Sequence, residues 1–224
     1  VGGLIPLGDA SRRRSHFPYA TVLIILLNVF VFFHELQGGD AFVFQWAAIP
    51  AVILSGHNLI TLLTSMFLHA SWSHILGNMI FLWAFGPAME DAMNPFSFTV
   101  FYLLGGLAAM SAQMAASPGS MVPTLGASGA IAAVMGGFLV TYPRDRIRAL
   151  FFFFFFIRIT FIPAILLIGF WFLMQLLNVG SVVSVQTGGV AYVAHVAGFL
   201  FGVVACSFFR RPQRIAPPSA WPRY

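Results

Sequence analysis

Six apolar runs dominate the chain, at residues 18–34, 73–89, 96–116, 126–142, 159–178 and 190–209. A helix needs about 20 mostly apolar residues to cross a bilayer. A chain of 224 residues has room for roughly six or seven such spans with short loops, as one domain. Some of the runs are short, as happens where loops dip into the bilayer or the membrane thins locally. Charge decides between this reading and a soluble enzyme with a large core. Only 8% of the residues are charged, against about 25% in a soluble domain. So few charges cannot cover a water-facing surface. The expected fold class is therefore all-α, a polytopic membrane protein with six transmembrane helices in contact with a lipid bilayer.

The few charges that exist are ordered. The chain has no lysine, so its 11 basic residues are all arginine. Arg12, Arg13 and Arg14 precede the first run. Arg144, Arg146, Arg148 and Arg158 separate the fourth from the fifth, and Arg210, Arg211, Arg214 and Arg223 follow the sixth. The loops after runs one, three and five carry none. Cytoplasmic loops hold the excess of basic residues, so both termini are expected in the cytoplasm. The net charge of +5 is then a topology signal, and no nucleic-acid partner is expected. The predicted organisation is a cytoplasmic N-terminal segment at 1–17, a membrane domain at 18–209 and a cytoplasmic tail at 210–224. That tail is rich in proline and arginine and is expected to be disordered. The first run is long and no small-residue cleavage site follows it, so it reads as a retained span. Cys206 stands alone, which excludes an intrachain disulfide. No Cys/His cluster has zinc-site spacing, and neither metal nor cofactor is expected.

Two stretches resist assignment as spans. Residues 37–72 are too long for a tight turn and too apolar for a solvated loop. They read as short helices in the outer interface, with Trp46 as an anchor. The six phenylalanines Phe151 to Phe156 are flanked too closely by Arg148 and Arg158 for a crossing. They read as an extended or interfacial lead into the fifth span.

Polar residues inside spans are costly and tend to mark function, although Ser and Asn can simply hydrogen-bond between helices. Here position decides. Spans two, four and six run in the same direction. His74 and Asn78 lie one helical turn apart near the start of span two, Ser128 near the start of span four and His195 near the start of span six. The four therefore share one depth below the outer surface. Ser128, Ala132 and Gly136 form a small-residue stripe on span four. His195, Gly198 and Gly202 share a face of span six, and the G-x-x-x-G within it permits close backbone approach. If these stripes meet, the Ser128 hydroxyl reaches His195. A serine hydroxyl needs a base to take its proton, and a histidine can serve. The developing oxyanion needs fixed donors. Asn78 offers an amide, His74 a ring N–H, and Ser128 its own backbone N–H at an uncapped helix start. Gly126 and Gly129 permit close backbone approach. No buried Asp or Glu is available to orient His195, so the reading is a dyad oriented by packing. His57 and His69 read as structural or interfacial.

The stretches "LLTSMFLHASWSHILGNMIFLWAFGPAMED", "LGASGAIAAVMG" and "AHVAGFLFG" together resemble the rhomboid family of intramembrane serine proteases. They carry its H-x-x-x-N with a following acidic residue (Glu90), its G-x-S-G and its A-H-x-x-G-x-x-x-G, in order and on matching helices. The resemblance implies Ser128 as nucleophile and His195 as base. It implies His74 and Asn78, with Gly126 and Ala127, as oxyanion and substrate contacts. It further implies a six-helix bundle with a membrane-embedded first loop, and cleavage of single-span membrane protein substrates near the outer leaflet without metal or cofactor. A bacterial inner membrane fits this picture. The inactive alternative is a membrane scaffold or chaperone with the same fold. Two positions depart from the family pattern: Ala47 follows Trp46 where some members have arginine, and Asn94 stands where many have glycine. Asn is the next-best residue for a left-handed helix end, so that turn is expected to survive.

Overall fold

A computed structural model describes residues 2–11, 15–182 and 191–211. Arg12, Arg13, Arg14 and the expected tail at 212–224 lie outside the described residues, as does Val190 at the head of the sixth run.

Each of the six apolar runs contains a long helix. The first run becomes α1 (Tyr19–Trp46), which passes its expected end by a dozen residues and breaks at Gly39, where φ is 56° and ψ −149°. Only glycine adopts that backbone at little cost. Glu90, 2% exposed, fixes the start of α1. Its carboxylate accepts from the Ala20 N–H (2.9 Å), the Thr21 N–H (2.8 Å) and the Thr21 hydroxyl (2.8 Å). Helix N-termini leave such N–H groups without intrahelical partners and favour negative charge.

Short helices follow, α2 (Pro50–Leu54) and α3 (Thr61–Thr64), with a 3-10 turn at Ser65–Phe67. The expected short helices between the first two runs are thus present. The second run forms α4 (Trp72–Met93) and the third α5 (Pro95–Ala116). Only Asn94 joins them. It takes φ +90°, and its Oδ1 accepts from the Ser97 N–H at 3.0 Å. Asn94 thus makes the positive-φ turn expected of it, and Pro95 opens the next helix, a position that needs no donor. The remaining runs form α6 (Ser128–Thr141), α7 (Ala164–Val182) and α8 (Tyr192–Phe209).

Helix α6 is the axis of the bundle. Every residue from Gly129 to Phe138 is buried, and α4, α5 and α8 pack around it. Outward faces are apolar instead: Leu23, Phe30, Leu166, Phe170, Val204 and Phe208 are all more than half exposed. Large apolar surface of this kind marks a membrane or partner interface. Among the described residues, three helices (α1, α5 and α8) are long and apolar enough to cross a membrane alone, and α6 and α7 supply shorter apolar stretches.

The all-α expectation needs correction. Three strands form an antiparallel sheet in the order β1 (Gly2–Asp9), β2 (Arg146–Phe153), β3 (Phe156–Pro163). Gly2 lies opposite Phe153 and Asp9 opposite Ile147; Arg146 lies opposite Pro163 and Phe153 opposite Phe156. The physical reason is a period of two. Arg146 and Arg148 face out while Ile147 and Ala149 are fully buried, and successive strand residues point to opposite faces. Phe154 takes φ +50°, as two-residue hairpin loops require. The extended reading of the phenylalanine run agrees with these strands. The fifth helix, however, begins at Ala164 and not at residue 159, because 159–163 complete β3 up to Pro163. The expected N-terminal segment carries β1, which packs against α4. Ser15 and His16 also bind Asp91 near the end of α4, the hydroxyl at 2.6 Å and the ring Nδ1 at 2.7 Å.

Candidate active site

The site is built where α6 and α8 meet. At Gly198 a Cβ would strike the carbonyl oxygen of Gly129, and at Gly202 that of Ala133; at Gly136 it would strike the carbonyl of Phe199. The partners advance together along both helices, so α6 and α8 run parallel with backbone against backbone. The stripe on α6 is Gly129, Ala133 and Gly136, one residue displaced at its first two positions from the expected Ser128, Ala132 and Gly136. That shift turns Ser128 to the edge of the contact, where its hydroxyl is half-buried rather than sealed.

Ser128 is the first residue of α6, and His195 lies in the first turn of α8. Ser128 Oγ is 2.7 Å from His195 Nε2, within the range of a strong hydrogen bond. The other ring nitrogen, Nδ1, is 2.8 Å from Gln175 Oε1 on α7. His195 and Gln175 are 8% and 9% exposed. The Trp171 ring faces the imidazole at 5.8 Å between centroids, and the Tyr192 ring meets it edge-on at 6.3 Å. From α5, Gln113 Oε1 accepts the Ala194 N–H at 3.3 Å, satisfying a donor at the uncapped start of α8.

His74 and Asn78 come from one face of α4. Ser71 caps that helix, its hydroxyl accepting the His74 N–H at 3.2 Å. The His74 ring lies against Gly126: a Cβ there would sit 2.9 Å from His74 Cε1, 3.0 Å from Nε2 and 3.7 Å from Ser128 Oγ. With φ at +126° as well, Gly126 has two independent reasons to lack a side chain. Asn78 is 8% exposed, and its Nδ2 finds no partner among the described residues. A buried amide donor left free is costly unless it awaits an acceptor. Ala127, fully buried, is the N-cap of α6 and offers no side-chain cap; its carbonyl accepts from Ile131 at 3.0 Å. The N–H groups of the first turn of α6, Ser128 included, thus have no intrahelical acceptor.

The first loop holds the approach to Ser128 in place. Ala48 and Thr124 exchange backbone hydrogen bonds at 3.0 and 2.7 Å, and the Gly126 N–H donates to the Ser65 carbonyl at 2.8 Å. The Thr64 hydroxyl donates to the Trp46 carbonyl at 2.7 Å. His69 is 1% exposed, edge-on to the His74 ring at 5.1 Å, and its N–H donates to the buried Glu35 carboxylate at 2.8 Å. It supports His74 from behind, in keeping with a structural role. His57 is exposed and bonded to Ser55.

The structure thus gathers Ser128, His195, His74 and Gly126 around one hydroxyl, with Asn78 one turn further along α4. The arrangement can lower the cost of deprotonating that hydroxyl and can offer N–H groups to a developing anion. The family's rhomboid domain profile matches residues 56–212, which include every residue of this site. This chain belongs to the rhomboid family. It is an integral membrane protein. It is 30% identical over 142 residues to rhomboid protease GluP of Bacillus subtilis, a match spanning 62% of this chain and 27% of that protein. It is 32% identical over 111 residues to the chloroplastic rhomboid-like protein 11 of Arabidopsis thaliana, 48% of this chain and 37% of that one. Against the mitochondrial rhomboid protein 1 of Saccharomyces cerevisiae, identity is 28% over 151 residues, 65% and 40% of the two chains. The matched region spans less than half the length of each relative.

Reading the sequence missed the residues that surround this rhomboid's histidine. Gln175, Trp171 and Gln113 lie on two other helices. One signal existed: Gln175 is a polar residue inside an apolar run, four positions after Trp171 and so on the same helix face.

Proposed function

We propose that this rhomboid is an intramembrane serine endopeptidase that cuts single-span membrane proteins near the outer end of their helices. The observation that carries the reading is the 2.7 Å contact between Ser128 Oγ and His195 Nε2, at the starts of two parallel helices within an apolar bundle. In the mechanism, His195 Nε2 takes the Ser128 proton as Oγ attacks the scissile carbonyl. The Ser128 N–H, Asn78 Nδ2 and a His74 ring N–H stabilise the oxyanion, with Gly126 and Ala127 leaving room for the substrate backbone. Collapse breaks the C–N bond, and the leaving amine takes the proton from Nε2. Water, deprotonated by the same nitrogen, then releases the acyl group and restores Ser128.

A substrate helix hides its carbonyls in hydrogen bonds, so the scissile segment must first become extended. Gly in that segment lowers the cost by about 1 kcal/mol relative to Ala. Purified protein in detergent should cut a model single-span substrate toward its outer end, and should cut more slowly when Gly or Pro near the site is replaced by Leu. A product mapping to the cytoplasmic end, or none, counts against the reading. A scaffold of the same fold yields no product at all.

We further propose six spans in a bacterial inner membrane with both termini cytoplasmic, on the arginine asymmetry. In a Cys206→Ala background, an impermeant thiol reagent applied to intact cells should label Gly119→Cys and not Ser11→Cys. Labelling at Ser11→Cys alone would invert the orientation.

A further inference from the structure

We infer that Gln175 is a positioning residue that fixes the tautomer of His195, so that the working unit is Ser128, His195 and Gln175 in line. The inference rests on the protease reading above and deepens it. A neutral imidazole carries its proton on one nitrogen only. To act as base toward Ser128, Nε2 must be bare, so the proton must reside on Nδ1. Among the described residues no carboxylate bonds the ring, and another group holds the proton there.

Gln175 does so through its own amide. Its Oε1 lies 2.8 Å from His195 Nδ1, and its Nε2–H donates to the Trp171 carbonyl at 3.2 Å. The second contact makes the first one-directional. If the amide were turned over, Gln175 Oε1 would face the Trp171 carbonyl, acceptor against acceptor, and the NH2 would face Nδ1. The backbone carbonyl of Trp171 can only accept, so it selects the amide orientation. The amide then presents an acceptor to Nδ1, Nδ1 keeps its proton, and Nε2 is left to accept from Ser128. The chain of choices starts at a backbone atom of α7 and ends at the nucleophile. Trp171 contributes twice, since its ring also faces the imidazole.

A neutral acceptor does less than a carboxylate. It sets the tautomer and ring orientation without adding a negative charge to stabilise the imidazolium. Losing it should therefore cost on the order of 10- to 100-fold, the range seen for the hydrogen-bond partners that orient metal-bound histidines.

The test uses the full chain in detergent, with three readouts. First, 15N spectra of histidine-labelled protein report which ring nitrogen carries the proton, with the His195 signals identified by their absence in His195→Ala. Wild type should show Nδ1 protonated and Nε2 bare, and Gln175→Leu should show a mixture. Second, Gln175→Leu should lower kcat with KM unchanged, and should slow labelling of Ser128 by a fluorophosphonate by a similar factor. Third, Gln175→Glu, which keeps the acceptor oxygen, should retain the Nδ1 proton and recover most of the rate. If Gln175→Leu does not fold, Gln175→Met keeps the unbranched shape, lacks the acceptor and carries the same expectation. A wild-type ring protonated on Nε2, or a variant whose loss falls on KM alone, overturns the inference. So does a Gln175→Leu protein with wild-type kcat while Ser128→Ala is inactive, and in that case the protease reading stands. Cleavage that persists in Ser128→Ala overturns the protease reading itself.

Discussion

Ser128→Ala, His195→Ala and the double variant should be equally inactive and equally folded. Nucleophile and base act on one proton, so removing either abolishes the catalysis that both supply, and the losses do not add. The 2.7 Å separation makes that coupling direct. A fluorophosphonate should label wild type at Ser128, label His195→Ala poorly and leave Ser128→Ala unlabelled. Asn78→Ala should behave differently. The base and nucleophile survive, so labelling persists, while turnover falls by about 10²-fold as one oxyanion donor is lost. Multiplicative losses in the double variant would mean that Ser128 and His195 act independently. Full activity in Ser128→Ala would falsify the assignment.

Gly202→Val should unfold the bundle rather than tune it. Its Cβ would strike the carbonyl of Ala133, and a backbone atom inside α6 cannot move aside as a side-chain end can. Overpacking usually costs about 1–3 kcal/mol, and a clash with a buried backbone belongs at or above the top of that range. Thermal denaturation in detergent should show a large drop in Tm, with activity lost alongside. Gly169→Ala on α7 is the contrast. Nothing lies within 4 Å of a Cβ there, so helix propensity alone should make it neutral or up to about 1 kcal/mol more stable. A Gly202→Val protein that melts like wild type would remove the close approach of α6 and α8 as the basis of the site.

Ser128, His195, His74 and Asn78 were legible because polar groups in apolar runs have few reasons to be there, and because their positions along the runs agreed. Gly198 and Gly202 were legible as a contact surface for a similar reason. The matching surface on α6 was placed one residue off at two positions, since glycines and alanines crowd that helix and periodicity cannot choose among them. Gln175 escaped because its meaning depends on a partner 20 residues away on another helix. The sheet escaped for a different reason. In 146–163 the alternation of arginine with apolar residues gives way to a run of phenylalanines, which reads as extended but names no partner strand. Its third strand, β1, takes its place through a pairing that no local pattern announces.

That pairing also has a consequence for the order in which the protein is made. Gly2 precedes every helix described above in the sequence, yet its neighbour in the sheet is Phe153. At about 5–20 residues per second, β1 waits roughly 7–30 s for β2, while the helices α1 to α6 between them leave the ribosome. Throughout that interval β1 is an open strand edge, able to pair with whatever it meets. Closure of the sheet is therefore a late event, and it ties the segment ahead of α1 to the linker between α6 and α7 once the helix carrying Ser128 is already made.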